Sequence, residues 1–185
     1  MIIEAIISTR KDSGDMNFAP MGVRFKENER VELTVYHSSE TYRNLAVNRS
    51  GVVNLLSDVL TFAKVALSDH LPAHSISSAS CGAILAVADE AIEFTIDTVK
   101  DREIKSIMSG PIVSQTRFKT PRAGINRANG AIIEALIAVT RIGVLQDDEI
   151  EKTIKRSRNI VDKTGGDKEL EAMGIIESHY ERRQR

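Results

Sequence analysis

Residues Asn17 to Val23 read NFAPMGV, and this stretch decides what kind of sheet the first half of the chain can form. It lies between a charged turn, RKDSGD, and a charged hairpin-like segment, KENER. Its outer residues are those of a β-strand. Pro20, however, occupies the middle, where a strand paired on both sides needs a backbone N–H. Gly22 follows and removes a side chain. Two arrangements satisfy such a strand: an edge or bulge, or a flat object lying against the backbone.

Working outward, IIEAIIST and NFAPMGVRF read as strands joined by a turn around Ser13-Gly14-Asp15. RVELTVYH alternates Val31, Leu33 and Val35 against Glu32, Thr34 and Tyr36, a half-buried strand. SSETYRNLAVNRSG opens with serines that can cap a helix, and the expected close is at Gly51. GVVNLL is a short apolar strand. SDVLTFAKVAL begins at the cap pair Ser57-Asp58 and sets Val59, Phe62, Ala63 and Ala66 on one helical face. SDHLPAHSISSASCG reads as a loop, and AIEFTIDTV and IVSQTRF as two further strands.

After Pro121 the texture changes. AGINRANGAIIEALIAVTRIG is a long helix with Ile125, Ala128, Ile132, Leu136 and Val139 as its core stripe. DDEIEKTIKRSRNIVDKTGG starts with acidic residues and ends at Gly165, and DKELEAMGIIESHYERR starts again at Asp167. The expected division is residues 1–120, mainly β-structure, and residues 121–185, a three-helix subdomain. The basic end ERRQR reads as a solvated tail.

The composition narrows the function classes. A chain of 185 residues with 42% hydrophobic and 28% charged residues can bury a full core. Aromatics make up 4% with no tryptophan, which argues against a base-stacking platform. A net charge of -1 argues against a nucleic-acid or anionic-membrane partner. No apolar run is long enough to span a bilayer, and MIIEAIISTRKDS lacks the pattern of a signal peptide. Cys81 is the single cysteine, which excludes an internal disulfide and fits a reducing cytoplasm.

Neither GxGxxG nor GxxxxGK[ST] nor GxSxG occurs. His70 and His74 are four apart with Cys81 downstream, but Pro72 breaks any helix that would align the imidazoles, so a metal is not expected. HSSETYRN is more informative. A helix beginning near Ser39 would point the hydroxyls of Ser38, Ser39 and Thr41 and its first free N–H groups one way, an anion-favouring arrangement that Arg43 could strengthen and Glu40 weakens. The ordinary use of those serines is capping. Arg122 and Arg127 near the start of the later helix oppose its dipole, and Arg127, Glu134 and Arg141 fall on one helical line, as a salt-bridge ladder or interface would. Asn17 and Asn54 lie in apolar strands, where each amide must find partners, in a neighbouring strand or on a polar heterocycle edge.

Taken in order, NFAPMGV, a strand, SSETYRNL, GVVNLL and SDVLTFAKVAL resemble the FMN-binding split barrels of the flavin reductase and pyridoxamine-phosphate oxidase type. The set APMGV, TYRNL and VN, with INRANGAIIEALIAVTRIG, is similar to an uncharacterised, largely archaeal family of such proteins, the domain-of-unknown-function 447 type. The resemblance implies an α+β fold: an N-terminal six-stranded split β-barrel with a C-terminal helical subdomain. It implies a homodimer with FMN where two subunits meet, and it places the strand Asn17–Val23 beside the isoalloxazine. Asn17, Ala19, Pro20, Met21 and Gly22 then line the ring or ribityl chain. Ser38, Ser39, Thr41, Arg43 and Asn44 face the phosphate and ribityl chain, and Asn54 lies near the ring. The chain departs from that pattern in lacking a dense Arg/Lys phosphate clamp and the basic substrate residues of a pyridoxamine-phosphate oxidase.

The expected activity is that of an FMN-dependent oxidoreductase, reduced by NAD(P)H or another small molecule, with the chemistry borne by the flavin. The alternatives are a flavin carrier or sensor without turnover, and an assembly protein that works through the helical subdomain. No catalytic side chain stands out.

Overall fold

The computed structural model describes residues 2–27, 29–68, 70–119 and 126–184. Pro121, Arg122 and Ile125 lie outside them. The chain divides into two compact units, one of Met1–Leu56 with Pro72–Pro121 and the other of Ser57–Leu71 with Arg122–Arg185.

The first unit begins with β1 (Ile3–Arg10) and β2 (Met16–Lys26). Gly14, at φ +92°, supplies the left-handed residue of the turn between them. Then come β3 (Arg30–Tyr36), helix α1 (Glu40–Asn48) and β4 (Ser50–Leu55). Each strand of this run alternates sides, so Ala5, Ile7, Val23, Val31, Leu33, Val35 and Val53 share one buried core. The α1 helix closes earlier than expected: Arg49 takes the left-handed position at φ 53°, and Gly51 is already within β4.

The second unit contributes α2 (Val59–Leu67), described below, before the chain returns to the first unit. There β5 (His74–Ile76) and β6 (Ala83–Leu85) form a small antiparallel pair. The segment expected as a loop thus carries a strand, too short to show a period. The expected strand AIEFTIDTV is two, β7 (Glu90–Thr95) and β8 (Thr98–Asp101). Both run along one side of the long β9 (Lys105–Arg117), with a register shift between Glu93 and Phe94.

Hydrogen-bonded neighbours run β3-β2-β1-β4-β7-β9, and β9 pairs back onto β3. The six strands therefore close into an antiparallel barrel, with β8 as an additional strand on β9. One seam is incomplete. β2 pairs with β1 from Met16 to Val23, but with β3 only from Val23 to Lys26. Met16 to Gly22 is consequently an open edge. Helix α1 packs against β1, β2 and β3 and adds Leu45 and Tyr42 to the barrel core.

The second unit joins α2 to α3 (Arg127–Val139), α4 (Asp147–Thr164) and α5 (Asp167–Gln184). Asn126 caps α3, its side chain accepting from the Ala128 N–H at 2.9 Å. Ala128, Ile132, Leu136 and Val139 are buried as the stripe requires, together with Ile150, Ile154 and Val161 of α4 and Met173 and Ile176 of α5. Lys64–Glu171 at 2.8 Å and Lys168–Asp58 at 3.3 Å join α5 to the α2 segment. Arg127, Glu134 and Arg141 are exposed, and no ion pair links them. Among the described residues no helix is long and apolar enough to cross a membrane.

Candidate functional site

The open edge of β2 exists because β2 and β3 diverge beyond Val23. Pro20 pairs with Ile6 on the β1 side and has no strand on the other, which is where a proline is tolerated in a sheet. From Met16 to Gly22 every residue is half-buried, so this length of backbone is neither enclosed nor bare. Gly22 makes room locally: a Cβ there would lie 2.5 Å from Ile2 Cγ2.

Alternation along β2 sets Asn17, Ala19 and Met21 on one side and Pro20 and Gly22 on the other. Asn17 is opposite Thr9 in the β1–β2 register, and the two meet α1. Asn17 Nδ2 donates to Thr9 Oγ1 at 3.3 Å and to Thr41 Oγ1 at 3.1 Å. Asn44 Nδ2 donates to the same Thr9 oxygen at 3.0 Å. Thr9, Thr41 and Asn44 are buried, so β1, β2 and α1 are tied by a connected set of neutral polar groups. Thr9 is absent from the expected site. Its signal was available, since counting back across the turn from Asn17 lands on it.

At the start of α1, Ser39 is the cap. Its hydroxyl accepts from the Tyr42 N–H at 3.1 Å and donates to the Tyr36 carbonyl at 2.7 Å. Arg43 reaches the Ser38 carbonyl at 3.3 Å and pairs with Glu40 at 2.5 Å. The Arg43 guanidinium holds the Glu40 carboxyl below its ordinary value, with a smaller contribution from Lys11. Both partners are exposed, so the pair contributes little to stability.

Asn54 stands apart from this group. It is fully buried; Nδ2 faces the carbonyls of Ile6 and Ala83 at 3.3 and 3.1 Å, and Oδ1 accepts from the Leu85 N–H at 2.8 Å. Its amide fastens β6 across β1 and β4. His74 bonds the Pro72 carbonyl through Nδ1 at 2.8 Å and packs on the Phe18 ring at 5.1 Å. His37 contacts Ser106 Oγ at 2.8 Å and the Tyr42 ring at 4.8 Å. Among the described residues no three His, Cys, Asp or Glu side chains are placed to share a metal.

Chemically, the arrangement offers an open strand edge whose outward main-chain groups have no strand partner among the described residues, a polar cluster without net charge, and a helix N-terminus. These suit a flat heterocycle with a polar rim and a hydroxylated tail better than a compact multivalent anion.

Residues 3–117 match the family model described as the N-terminal domain of a protein of unknown function, DUF447, and residues 126–178 match a second DUF447 model. The FMN-bound protein of Methanosarcina mazei, assigned to DUF447, is similar over 96% of this chain and 94% of its own, with a TM-score of 0.84 and 22% identity. An FMN-binding protein of Thermus thermophilus, with bound p-hydroxybenzaldehyde, matches 66% of this chain and 75% of its own at a TM-score of 0.56 and 14% identity. The flavin reductase of a styrene monooxygenase from Pseudomonas putida S12 matches 64% and 82% at 0.55 and 14%. At these identities the likeness is one of fold.

Proposed function

Since the chain belongs to the DUF447 family, we propose that it is an FMN-binding protein that works as a flavin-dependent oxidoreductase. The observation that carries the reading is the open edge of β2 from Met16 to Gly22, lying beside the Asn17–Thr9–Thr41–Asn44 cluster. An isoalloxazine has a flat apolar body and a rim of alternating donors and acceptors, and a half-buried open strand edge offers the complementary rim. Ala19 and Gly22 give that edge little bulk. Asn17, Thr41 and Asn44 would hold the ring edge or the ribityl chain. Ser38 and the first N–H groups of α1 would take the phosphate, with Arg43 available once it leaves Glu40. The solved structures similar to this chain include an FMN-bound DUF447 protein and, outside that assignment, an FMN-binding protein and a flavin reductase, which supports the choice of ligand.

When bound, the flavin supplies the hydride and electron chemistry. The chain's part is placement, tuning hydrogen bonds and exclusion of water. NAD(P)H or another small reductant would be the donor, two copies of the chain would form the working unit, and the cytoplasm would be its compartment. Arg122, which could add an anion contact, lies outside the described residues.

The test begins with the visible spectrum of the purified protein, followed by titration with FMN and then anaerobic addition of NADH or NADPH. Uptake of about one FMN per chain and rapid bleaching of the flavin band are expected. A protein that takes up FMN but is bleached by neither nucleotide, and by no other reductant at a catalytic rate, is a carrier or sensor. One that ignores FMN ends the proposal.

A further inference from the structure

We infer that Thr9 locks the Asn17 side chain so that it presents only an acceptor, and that the ligand group read there is a hydrogen-bond donor. The inference rests on the flavin reading and adds the polarity of one contact to it.

Thr9 is 0% exposed, and its hydroxyl oxygen receives two amide donors, Asn17 Nδ2 at 3.3 Å and Asn44 Nδ2 at 3.0 Å. A hydroxyl has two lone pairs, so both are engaged. The other Nδ2 hydrogen of Asn17 goes to Thr41 Oγ1 at 3.1 Å. An asparagine amide has two N–H donors, and both now point into the protein. What remains is Oδ1, with no partner among the described residues. Asn17 is only half-buried, and Oδ1 is not one of the enclosed atoms lacking a partner, so it is reachable from outside.

A carbonyl oxygen fixed in that position repels other acceptors. It bonds an N–H or O–H. On a flavin this selects the ring N3–H or a ribityl hydroxyl, and excludes the ring carbonyls and the phosphate from the Asn17 side chain. Thr9 is buried beneath the amide and does not touch the ligand; it is a positioning residue. Without it the amide can rotate and offer N–H in place of oxygen, and the contact changes sign.

The experiment uses the full chain and three ligands: riboflavin, 3-methylriboflavin, which lacks the N3–H, and lumiflavin, which lacks the ribityl chain. Binding is followed by quenching of flavin fluorescence for the wild type, Thr9→Val and Thr9→Ser. Thr9→Val keeps the shape and removes the acceptor. We expect it to weaken riboflavin by roughly three- to tenfold, the worth of one hydrogen bond, and Thr9→Ser to restore binding to within about twofold. A loss shared by lumiflavin but not by 3-methylriboflavin assigns the contact to N3–H. A loss shared by 3-methylriboflavin but not by lumiflavin assigns it to a ribityl hydroxyl. Unchanged riboflavin binding in a folded Thr9→Val protein, failure of the serine variant to restore it, or an equal loss for all three ligands overturns the inference. Should Thr9→Val not fold, Thr41→Val removes the other acceptor of the Asn17 amide and is held to the same pattern. A wild type that binds none of the three ligands sinks the flavin reading itself, a result distinct from any of these.

Discussion

Gly110 stands in β9 where β7 gives way to β8. A Cβ built there would lie 1.8 Å from the Thr95 carbonyl oxygen and 2.7 Å from its carbon. Those atoms are backbone, so no rotamer relieves the contact, and β9 would have to leave its register with β3 as well. Gly110→Ala is therefore expected to cost more than about 4 kcal/mol, enough to abolish a cooperative transition in many domains of this size. Gly22→Ala is the control. Its Cβ would press on the Cγ2 methyl of Ile2 at 2.5 Å, on a residue 53% exposed that can shift, and would meet Glu4 Oε1 only at an ordinary 3.6 Å. That substitution should cost under about 1 kcal/mol. Urea unfolding of the two variants separates them, and equal losses would remove the close-approach account of Gly110. Nothing in the sequence distinguishes these two glycines. The difference lies in which backbone the barrel brings alongside, a fact of closure rather than of local pattern. Asn54 shows the same limit from the other side. A buried amide in an apolar strand announces that partners exist. Only the fold shows that they are Ile6, Ala83 and Leu85.

Helix α1 was legible at its start and not at its end. Ser39 followed by a polar first turn is a capping pattern, and the hydroxyl does bond the Tyr42 N–H. The close at Arg49 in the left-handed region replaces the glycine that ordinarily marks that position, so the sequence pointed two residues too far. The pair β5 and β6 escapes the pattern because three residues cannot display a period of two, and β7 and β8 read as one strand because only Ile96 and Asp97 separate them, with no glycine or proline to mark the break. At the start of α1, Glu40 neutralises Arg43 and competes with any anion the helix could attract. Glu40→Gln frees the guanidinium. If the phosphate of FMN binds there, the variant should favour FMN over riboflavin by roughly two- to fivefold more than the wild type does, and that preference should fade in high salt. Stability at neutral pH should hardly change, since both partners are exposed. An FMN-to-riboflavin ratio identical in the two proteins would move the phosphate away from this helix.

At the scale of the whole chain, composition carried more than any motif. The change of texture after Pro121 marks the C-terminal helices, because an apolar stripe repeated every three to four residues has no use in a sheet. The membership of α2 in the helical unit was not legible, since its apolar face suits a helix bundle as well as a sheet face. The proposed pairing of two chains has a physical motive in the barrel unit. Tyr36 and Ile104 are 54% and 63% exposed on adjoining chain segments, joined by the His37 N–H to the Ile104 carbonyl at 3.1 Å, and Val47 on α1 is 65% exposed. Apolar groups of this size gain by meeting a second surface. If flavin is held where two copies meet, its affinity must follow dimer formation. Sedimentation should then give twice the chain's mass at micromolar concentration, and dilution should release FMN in step with dissociation. Replacing Tyr36 and Ile104 together by glutamate should leave the barrel folded, yield monomers, and weaken FMN by at least about tenfold. A monomer that retains FMN at wild-type affinity would confine the site to a single chain, leaving the edge of β2, with Asn17 positioned by Thr9, to hold the flavin unaided.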